Sequence, residues 1–399
     1  MPKIYLDYAA TAPVRPQIKS KILPYFSEKF GNPSSIHKFG REARKAVDEN
    51  RKTIADFLNC QADEVIFTSG GTEADNLAVR GLVTNSKFIP HIITTQIEHH
   101  AVLNCYRELE KAKRAKVTYL RVNPQGQVNL ESIKRVIQKN TLLVSIMYAN
   151  NETGSLQPIR EIGKMLEKMN KSRAKNGHRI YFHTDAVQAA GYENCNTKWL
   201  HVDLLTLSGH KLGATKGIGA LFVKKNTPIK AQSLGGEHEF GLRAGTENVP
   251  AIVGFGKAIK MANNSLETKK IKKLRDYLQK KIIDLIPDVQ LNGDIKKRVP
   301  HILNLNFKYV EGESIILNLD FKGIAASTGS ACTSGSLEPS HVIMAMYQDP
   351  FRAHGSIRFS LGWKTTQQEI DYVIKVLPKI IKKLRQISPF GPNKKVNAH

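Results

Sequence analysis

EVIFTSGGTEADNLAVRGL, Glu64 to Leu82, places a strand, a glycine turn and a helix in one stretch. Val65 to Phe67 is a short run of β-branched and aromatic side chains, the composition of a buried strand. Gly70 and Gly71 end it. From Thr72 the apolar positions recur at helical spacing, with Thr72 as the expected N-cap and acids in the first turn. A strand that turns through glycine straight into a helix is the unit from which parallel sheets are built, because parallel neighbours need a crossover.

The unit recurs. PHIITTQIEH (90–99) reads as a strand and HAVLNCYRELEKAKR (100–114) as a helix. AKVTYLRV (115–122) and NLESIKRVI (129–137) repeat the pair, as do TLLVSIMYANNE (141–152) and PIREIGKMLEKM (158–169). RIYFHTDA, VDLLTLSGHK and IGALFVKK are three further strands. This alternation predicts an α/β fold, a large domain with a mainly parallel sheet between helices. Beyond Gly254 a long helical stretch (255–285) leads to HILNLNFKYV, SIRFSLGW and a final helix, which predicts a smaller α+β domain hinged on that helix. The expected division is an N-terminal segment over 1–15 packing with the small domain, a large domain over 16–260, a small domain over 261–388 and a loose tail over 389–399.

Composition bounds the rest. The 399 residues are 41% hydrophobic and 24% charged, which excludes a disordered or fibrous chain. No apolar run reaches the roughly 18 residues of a membrane span, and MPKIYLDYAATAPV has no leader character, so a cytoplasmic, membrane-free location is expected. Cys60, Cys105, Cys195 and Cys332 form no CxxC pair, which argues against a disulfide framework or a thiolate metal site. The net charge of +25 is concentrated in 164–179, in 269–281 and in the acid-free stretch from Tyr372 onward. Such a field attracts nucleic acid, acidic proteins or anionic surfaces, although solvated lysine faces account for it equally well.

The polar residues that carry chemistry fall at expected strand ends. TLSGHKLG puts Lys211 just past a strand, between glycines and after Ser208 and His210. A lysine amine does covalent work when a carbonyl partner can form an imine with it. FHTDAVQ puts Asp185 at another strand end. A carboxylate paired with such a lysine suggests pyridoxal phosphate (PLP), whose ring nitrogen needs an acidic partner; His183 and Asp185 alone do not fill a metal shell. TSGGTEADN offers backbone N–H groups at a helix N-terminus as a phosphate seat. IEHHAV supplies His99, flat enough to stack on an aromatic ring and able to move protons.

Taken together, YLDYAATAPV, FGNPSSIHKFG, FTSGGTEADNLA, EHHAVL, NNETG, HTDAVQ, SGHK, KGIGALFV, RAGTENV, LNLNF, TGSACTSGSLEPSHV and SIRFSLG resemble, in order, the cysteine desulfurases of the NifS/IscS type. These are PLP enzymes of aminotransferase class V with fold type I, and the likeness runs from Ile4 to about Ser388. The resemblance implies that 16–260 is the PLP-binding domain, that Lys211 holds PLP as a Schiff base and later carries the Cα proton, and that Asp185 pairs with the ring nitrogen. It implies that Gln188 bonds the ring hydroxyl oxygen, and that His99 stacks on the ring and assists proton transfer. Gly71, Thr72, Ser208 and His210 are expected at the phosphate, joined by Thr246 from the partner subunit of a homodimer. Asn151 is expected to position the cofactor–substrate adduct, and Arg358 to clamp the substrate carboxylate.

The same resemblance gives a role to ASTGSACTSGS (326–336), where Cys332 stands among small residues. Its thiolate is expected to attack the sulfur of bound L-cysteine, leave with it as a persulfide and deliver it to an acceptor. Small residues with Gly329 and Gly335 as pivots make such a segment inexpensive to move. The nearest basic neighbour in sequence is His341, so activation of the thiol is expected from within the site, through His99 or the bound adduct. The resemblance also admits Cys332 as a transient iron–sulfur ligand; no other metal site is expected.

Departures from the family's usual pattern are Ala214-Thr215 where Gly-Pro is common, Glu237 for glycine and Phe240 for arginine; the last two are expected near the dimer edge of the site. The acceptor is open between an iron–sulfur scaffold protein and thiolation of tRNA or another partner, with 164–179 as an expected contact for an acidic protein or tRNA. A selenocysteine lyase or related class-V enzyme and a scaffold without catalysis are the alternatives. Intact Lys211, Asp185, His99, Arg358 and Cys332 speak against the last.

Overall fold

The computed structural model describes residues 2–173, 178–262, 264–329 and 338–389. Cys332 and Gly335, the tail from 390 and part of the basic stretch (174–177) lie outside the described residues.

Twelve strands are present among them: β1 (Ile4–Tyr5), β2 (Val65–Thr68), β3 (His91–Thr95), β4 (Lys116–Leu120), β5 (Thr141–Ser145), β6 (Tyr181–Asp185), β7 (Leu204–Ser208), β8 (Gly219–Val223), β9 (Val289–Leu291), β10 (Ile302–Phe307), β11 (Ile324–Ala325) and β12 (Ser356–Ser360). Seven form one sheet in the order β2-β8-β7-β6-β5-β3-β4. The sheet is mainly parallel, as the alternation predicts; β8 alone is reversed against its neighbours β2 and β7. Successive side chains on a strand point to opposite faces, and both faces are apolar. Phe67, Ile93, Val144 and Phe182 pack in one core, while Ile66, Ile92 and Leu143 pack in the core on the other side.

The edge of this sheet is covered in an unusual way. Arg51, from the helix Lys38–Leu58, donates from Nη1 to the carbonyl of Val65 at 2.6 Å. Glu239 accepts from the N–H of Phe67 at 2.7 Å and pairs with Arg51 at 2.6 Å. The ion pair satisfies outward-facing backbone groups of β2 as a further strand would, and blunts the edge. Phe240, with its backbone at φ 57°, lays its ring 5.1 Å from the Arg51 guanidinium.

A second core gathers Ile271, Leu278 and Ile282 from the helix Ser265–Leu285, Leu305 and Phe307 from β10, and Val373 and Leu377 from the helix Gln367–Ile387. Its sheet is antiparallel, in the order β12-β10-β9. The expected single helix over 255–285 is two, Val249–Ala262 and Ser265–Leu285. Asn264 breaks the run because its side chain caps the second helix, accepting from the N–H groups of Leu266 and Glu267. The first helix packs in the large core and the second in the small one. β1 pairs in parallel with β11, and Asp7 bridges to Ser360, so the N-terminal segment lies against the second core and reaches the large sheet beyond it. None of the described helices is long and apolar enough to cross a membrane.

Removing one partner of a buried ion pair leaves the other charge uncompensated. Glu239→Ala also strips the acceptor from Phe67 N–H. The expected loss is about 3–5 kcal/mol, read as a lowered urea midpoint; an unchanged midpoint would show that the pair does not secure the sheet edge.

Candidate active site

The carboxyl ends of β2, β3, β5, β6 and β7 open onto one cavity of about 300 Å³. This is where a parallel sheet collects binding residues. Gly71 and Thr72 enter it from the start of the helix Gly71–Asn85, His99 from the turn after β3, and Asn151 from the turn after β5. Asp185 ends β6, with Gln188 just beyond; Ser208 ends β7, with His210 and Lys211 in the short 3₁₀ turn that follows. Arg358 comes from β12 of the small sheet. Gly329, three positions before Cys332, also lines the wall. Thr246 is exposed and does not line the cavity of its own chain.

Thr72 is not the N-cap that the sequence suggests. The helix begins at Gly71 with Gly70 as its cap, and the hydrogen bond from Ala74 N to Gly70 O closes the first turn. Glu73 reaches back to the N–H of Ser69 at 2.7 Å. β8 packs directly beneath this turn: a Cβ on Gly219 would come within 2.6 Å of the Gly70 backbone. Gly71 and Thr72 thereby stand in the cavity wall at the N-terminus of the helix.

Lys211 Nζ donates to the carbonyls of Ala9 at 2.6 Å and Ala10 at 2.7 Å. Burial raises the pKa of Asp185, opposed by the Val187 N–H, 2.9 Å from Oδ1, and by the charge of Lys211. Burial, then the charge of Lys211, pushes His99 down to about 4 and His210 down to about 4. Nδ1 of His99 accepts from Ala101 N–H at 3.1 Å, so in the neutral ring the proton sits on Nε2. Gln188 donates to the Ala9 carbonyl at 2.9 Å, and its Oε1 lies 3.3 Å from Nε2 of His301. Arg358 is 3% exposed; Nη1 donates to Asn151 O at 2.8 Å and Nη2 to Asp7 Oδ1 at 2.9 Å, while the buried Nε has no hydrogen-bond partner among the described residues.

Several groups in or behind this wall were not singled out from sequence: the Ala9 and Ala10 carbonyls, Asp7, Asp75 and Glu98. Asp75 had a readable signal, a carboxylate on a helix face otherwise filled by Ala74, Ala78 and Val79. Glu98 is buried, accepts from Thr95 Oγ1 at 2.6 Å and from the N–H of Met147, and is pushed up to about 8 by burial. It ties the end of β3 to the segment after β5. Its backbone carbonyl lies 3.0 Å from Nε2 of His341.

The wall suits pyridoxal phosphate. It holds an amine, a buried carboxylate, a flat neutral imidazole and a helix N-terminus flanked by Ser208 and His210, in a volume within the usual range for small-molecule sites. A larger groove of about 550 Å³, lined by Lys171, Arg179, His201 and Asp203, has no such set. Its charges answer one another, Arg179 with Asp203 at 2.6 Å and His201 with Glu167 at 2.6 Å.

The aminotransferase class-V family matches residues 4–373. A cysteine desulfurase IscS of Dictyoglomus turgidum is 47% identical over 401 residues, 99% of this chain and 98% of that protein. A solved NifS-like protein shares the fold with a TM-score of 0.88 at 34% identity, over 96% of this chain and 100% of that one. SspA solved in complex with cysteine gives a TM-score of 0.80 at 32% identity, over 91% of this chain and 100% of that one. With one fold and high identity along its whole length, the chain belongs to the aminotransferase class-V family of PLP-dependent enzymes, in the group of the NifS/IscS-type cysteine desulfurases.

Proposed function

We propose that this chain is a cysteine desulfurase that moves the sulfur of L-cysteine onto Cys332 and releases L-alanine. The observation that carries the reading is the meeting of Lys211, Asp185, His99 and Arg358 in one cavity wall, with Gly329 in the same wall.

Pyridoxal phosphate, when bound, supplies an electron sink for charge developing on an attached amino acid. Lys211 is the residue to hold it, Asp185 to face its ring nitrogen and Gln188 its ring hydroxyl. The Gly71 and Thr72 amides, Ser208 and His210 are the seat for its phosphate, completed by the partner subunit's Thr246. His99 would offer its flat face to the ring and carries its proton on Nε2. Released from the two backbone carbonyls, the Lys211 amine takes and returns the Cα proton. Arg358 receives the substrate carboxylate, with Asn151 beside it; its unpartnered Nε supports this role. The Cys332 thiolate attacks the substrate sulfur. An S–S bond forms, the Cβ–S bond breaks, and the electron pair left on carbon takes a proton to give the methyl group of alanine.

The division at 15/16, 260/261 and 388/389 belongs to the same reading. It is supported by the break near Asn264 and by the two separate cores. A homodimer is supported by an exposed apolar surface where Phe30 stacks on Phe39 at 5.6 Å, near Ile36 and Phe26. Ser34 approaches His238 on the loop that carries Phe240, and Glu247, next to Thr246, pairs with Arg44. The acceptor is an iron–sulfur scaffold protein or a thiolation partner, tRNA among them. Solvent-facing Lys269, Lys270 and Lys273 on one helix and Lys375, Lys379 and Lys382 on another support an anionic partner.

With L-cysteine the purified protein is expected to form alanine and persulfide in equal amounts. Cys332→Ala should retain the coenzyme chromophore but fall below roughly a hundredth of wild-type turnover. Lys211→Ala should lose both. Alanine formation that survives Cys332→Ala would point to another class-V reaction, inertness toward cysteine with activity on selenocysteine to a lyase, and no coenzyme uptake to a scaffold.

Arg358→Lys keeps the charge but not the two-pronged geometry, so KM for cysteine should rise at least about tenfold. An unchanged KM would remove Arg358 from the substrate.

Burial disfavours the imidazolium of His99, so its folded pKa lies below the ordinary value. Its contribution to stability is complete above about pH 6.5 and is lost as pH falls toward 4. Histidine NMR should therefore show His99 neutral down to about pH 5; a midpoint near 6.5 would contradict its burial.

A further inference from the structure

Asp75 is the one carboxylate in the cavity wall to which the reading above gives no task. It lies on the helix Gly71–Asn85, 1% exposed, and its Oδ1 has no hydrogen-bond partner. The nearest basic group is His183 on β6, whose Nε2 is 3.6 Å from that oxygen, beyond hydrogen-bonding range. Both ring nitrogens of His183 are already used, Nδ1 with Ser145 Oγ at 2.9 Å and Nε2 with Thr206 Oγ1 at 3.1 Å. That ring is fully buried, and burial pushes it down to about 3, so it brings no positive charge.

The other titratable groups acting on Asp75 are acids or neutral: Asp185 on β6, Glu98 beyond β3, and Cys105 and Tyr106 on the helix His100–Lys111. Lys211 is the cation acting on Asp185, which also accepts the Val187 N–H. Asp75 has neither. Two buried carboxylates in such surroundings cannot both be ionised, and the one with the cation and the amide keeps the charge.

We propose that Asp75 and Asp185 are a buried acid pair with one negative charge, the proton residing on Asp75 and the charge on Asp185. Asp75 is thus a positioning residue: by staying neutral it concentrates the charge of the site on the carboxylate that faces the ring nitrogen. This rests on the assignment of Asp185 given above, but the protonation pattern is a property of the chain alone. Burial, then the charge of Asp185, raises Asp75 well above the ordinary carboxylate range, and the Thr206 hydroxyl opposes this without cancelling it. An acid of this kind is protonated in the folded state where the unfolded chain has lost its proton. Its effect on folding is neutral below about pH 4 and increasingly unfavourable as pH rises toward the folded pKa.

The test has two arms. In the coenzyme-free protein, urea unfolding is followed from pH 5 to pH 8 for wild type and Asp75→Asn. The folding constant of wild type should decline more steeply with pH, by up to about tenfold per pH unit, than that of the variant, whose amide mimics the neutral acid. In the second arm, pyridoxal phosphate affinity is measured by absorbance titration for wild type, Asp75→Asn and Asp185→Asn. Asp185→Asn should lose at least about tenfold more affinity than Asp75→Asn. Equal pH slopes, or an equal or greater loss on neutralising Asp75, overturn the proposal. Failure of wild type to bind the coenzyme overturns the reading of the site instead, and the first arm still decides the pair.

Discussion

The structure depends on four residues of a turn, Asp7 to Ala10, that touch both halves of the site. Asp7 holds the guanidinium of Arg358 on the small sheet, and the carbonyls of Ala9 and Ala10 hold the amine of Lys211 on the large one. Three residues of chain span at most about 10 Å, so the guanidinium of Arg358 and the amine of Lys211 are tied to each other through one short piece of chain. β1 pairs with β11 and Ile4 and Leu6 are buried in the second core, which keeps this short piece from sliding. The chain passing Asn264 and the N-terminal segment both link the two cores, and the connection between Lys211 and Arg358 runs through the second.

Around that spacer the site keeps few charges. His99, His183, His210 and His301 are all held below their ordinary range by burial, while Glu98, Glu152 and Asp75 are pushed upward by it. Neutral imidazoles and neutral acids still donate and accept hydrogen bonds without the large cost of a buried, unpaired ion. The cations of the site are met by oxygens: Lys211 by the carbonyls of Ala9 and Ala10, Arg358 by Asp7 and the carbonyl of Asn151. In a medium of low effective dielectric each surviving charge acts more strongly.

Much of this was legible in the sequence, for identifiable reasons. The strands VIFT, HIITT, TLLVS and LLTLS are buried on both faces, so their apolar runs are continuous and the parallel sheet could be read directly. Lys211 and His99 follow two of those strands, Ser208 ends one of them and Asp185 ends β6, and they were found because strand ends are where such sheets bind ligands. Their meeting in one cavity also follows from that topology. Asp7, Ala9 and Ala10 were out of reach for the opposite reason: they act across hundreds of residues, two of them through carbonyls that every residue possesses. Asn264 was missed because a run of helical periodicity conceals a cap whose own side chain starts the next helix. Thr72 was misplaced because the helix starts one residue earlier, at Gly71 with Gly70 as its cap, leaving threonine for the cavity.

The departure at Phe240 acts at the sheet edge. β2 ends at the turn that carries Gly71 and Thr72, so any slip of β2 would move this part of the cavity wall. That edge is held by Arg51 and Glu239 in place of a strand, and a charged pair is a directional substitute only while water is kept out. Phe240 is 58% exposed as a residue, yet its ring faces the Arg51 guanidinium. An arginine at the same position would bring a second positive charge beside Arg51 and weaken the hold of Glu239. The aromatic ring instead adds a favourable face and sheds water from the pair. The substitution thus acts on the position of β2 through the edge, and leaves the side chains that perform the chemistry as they are.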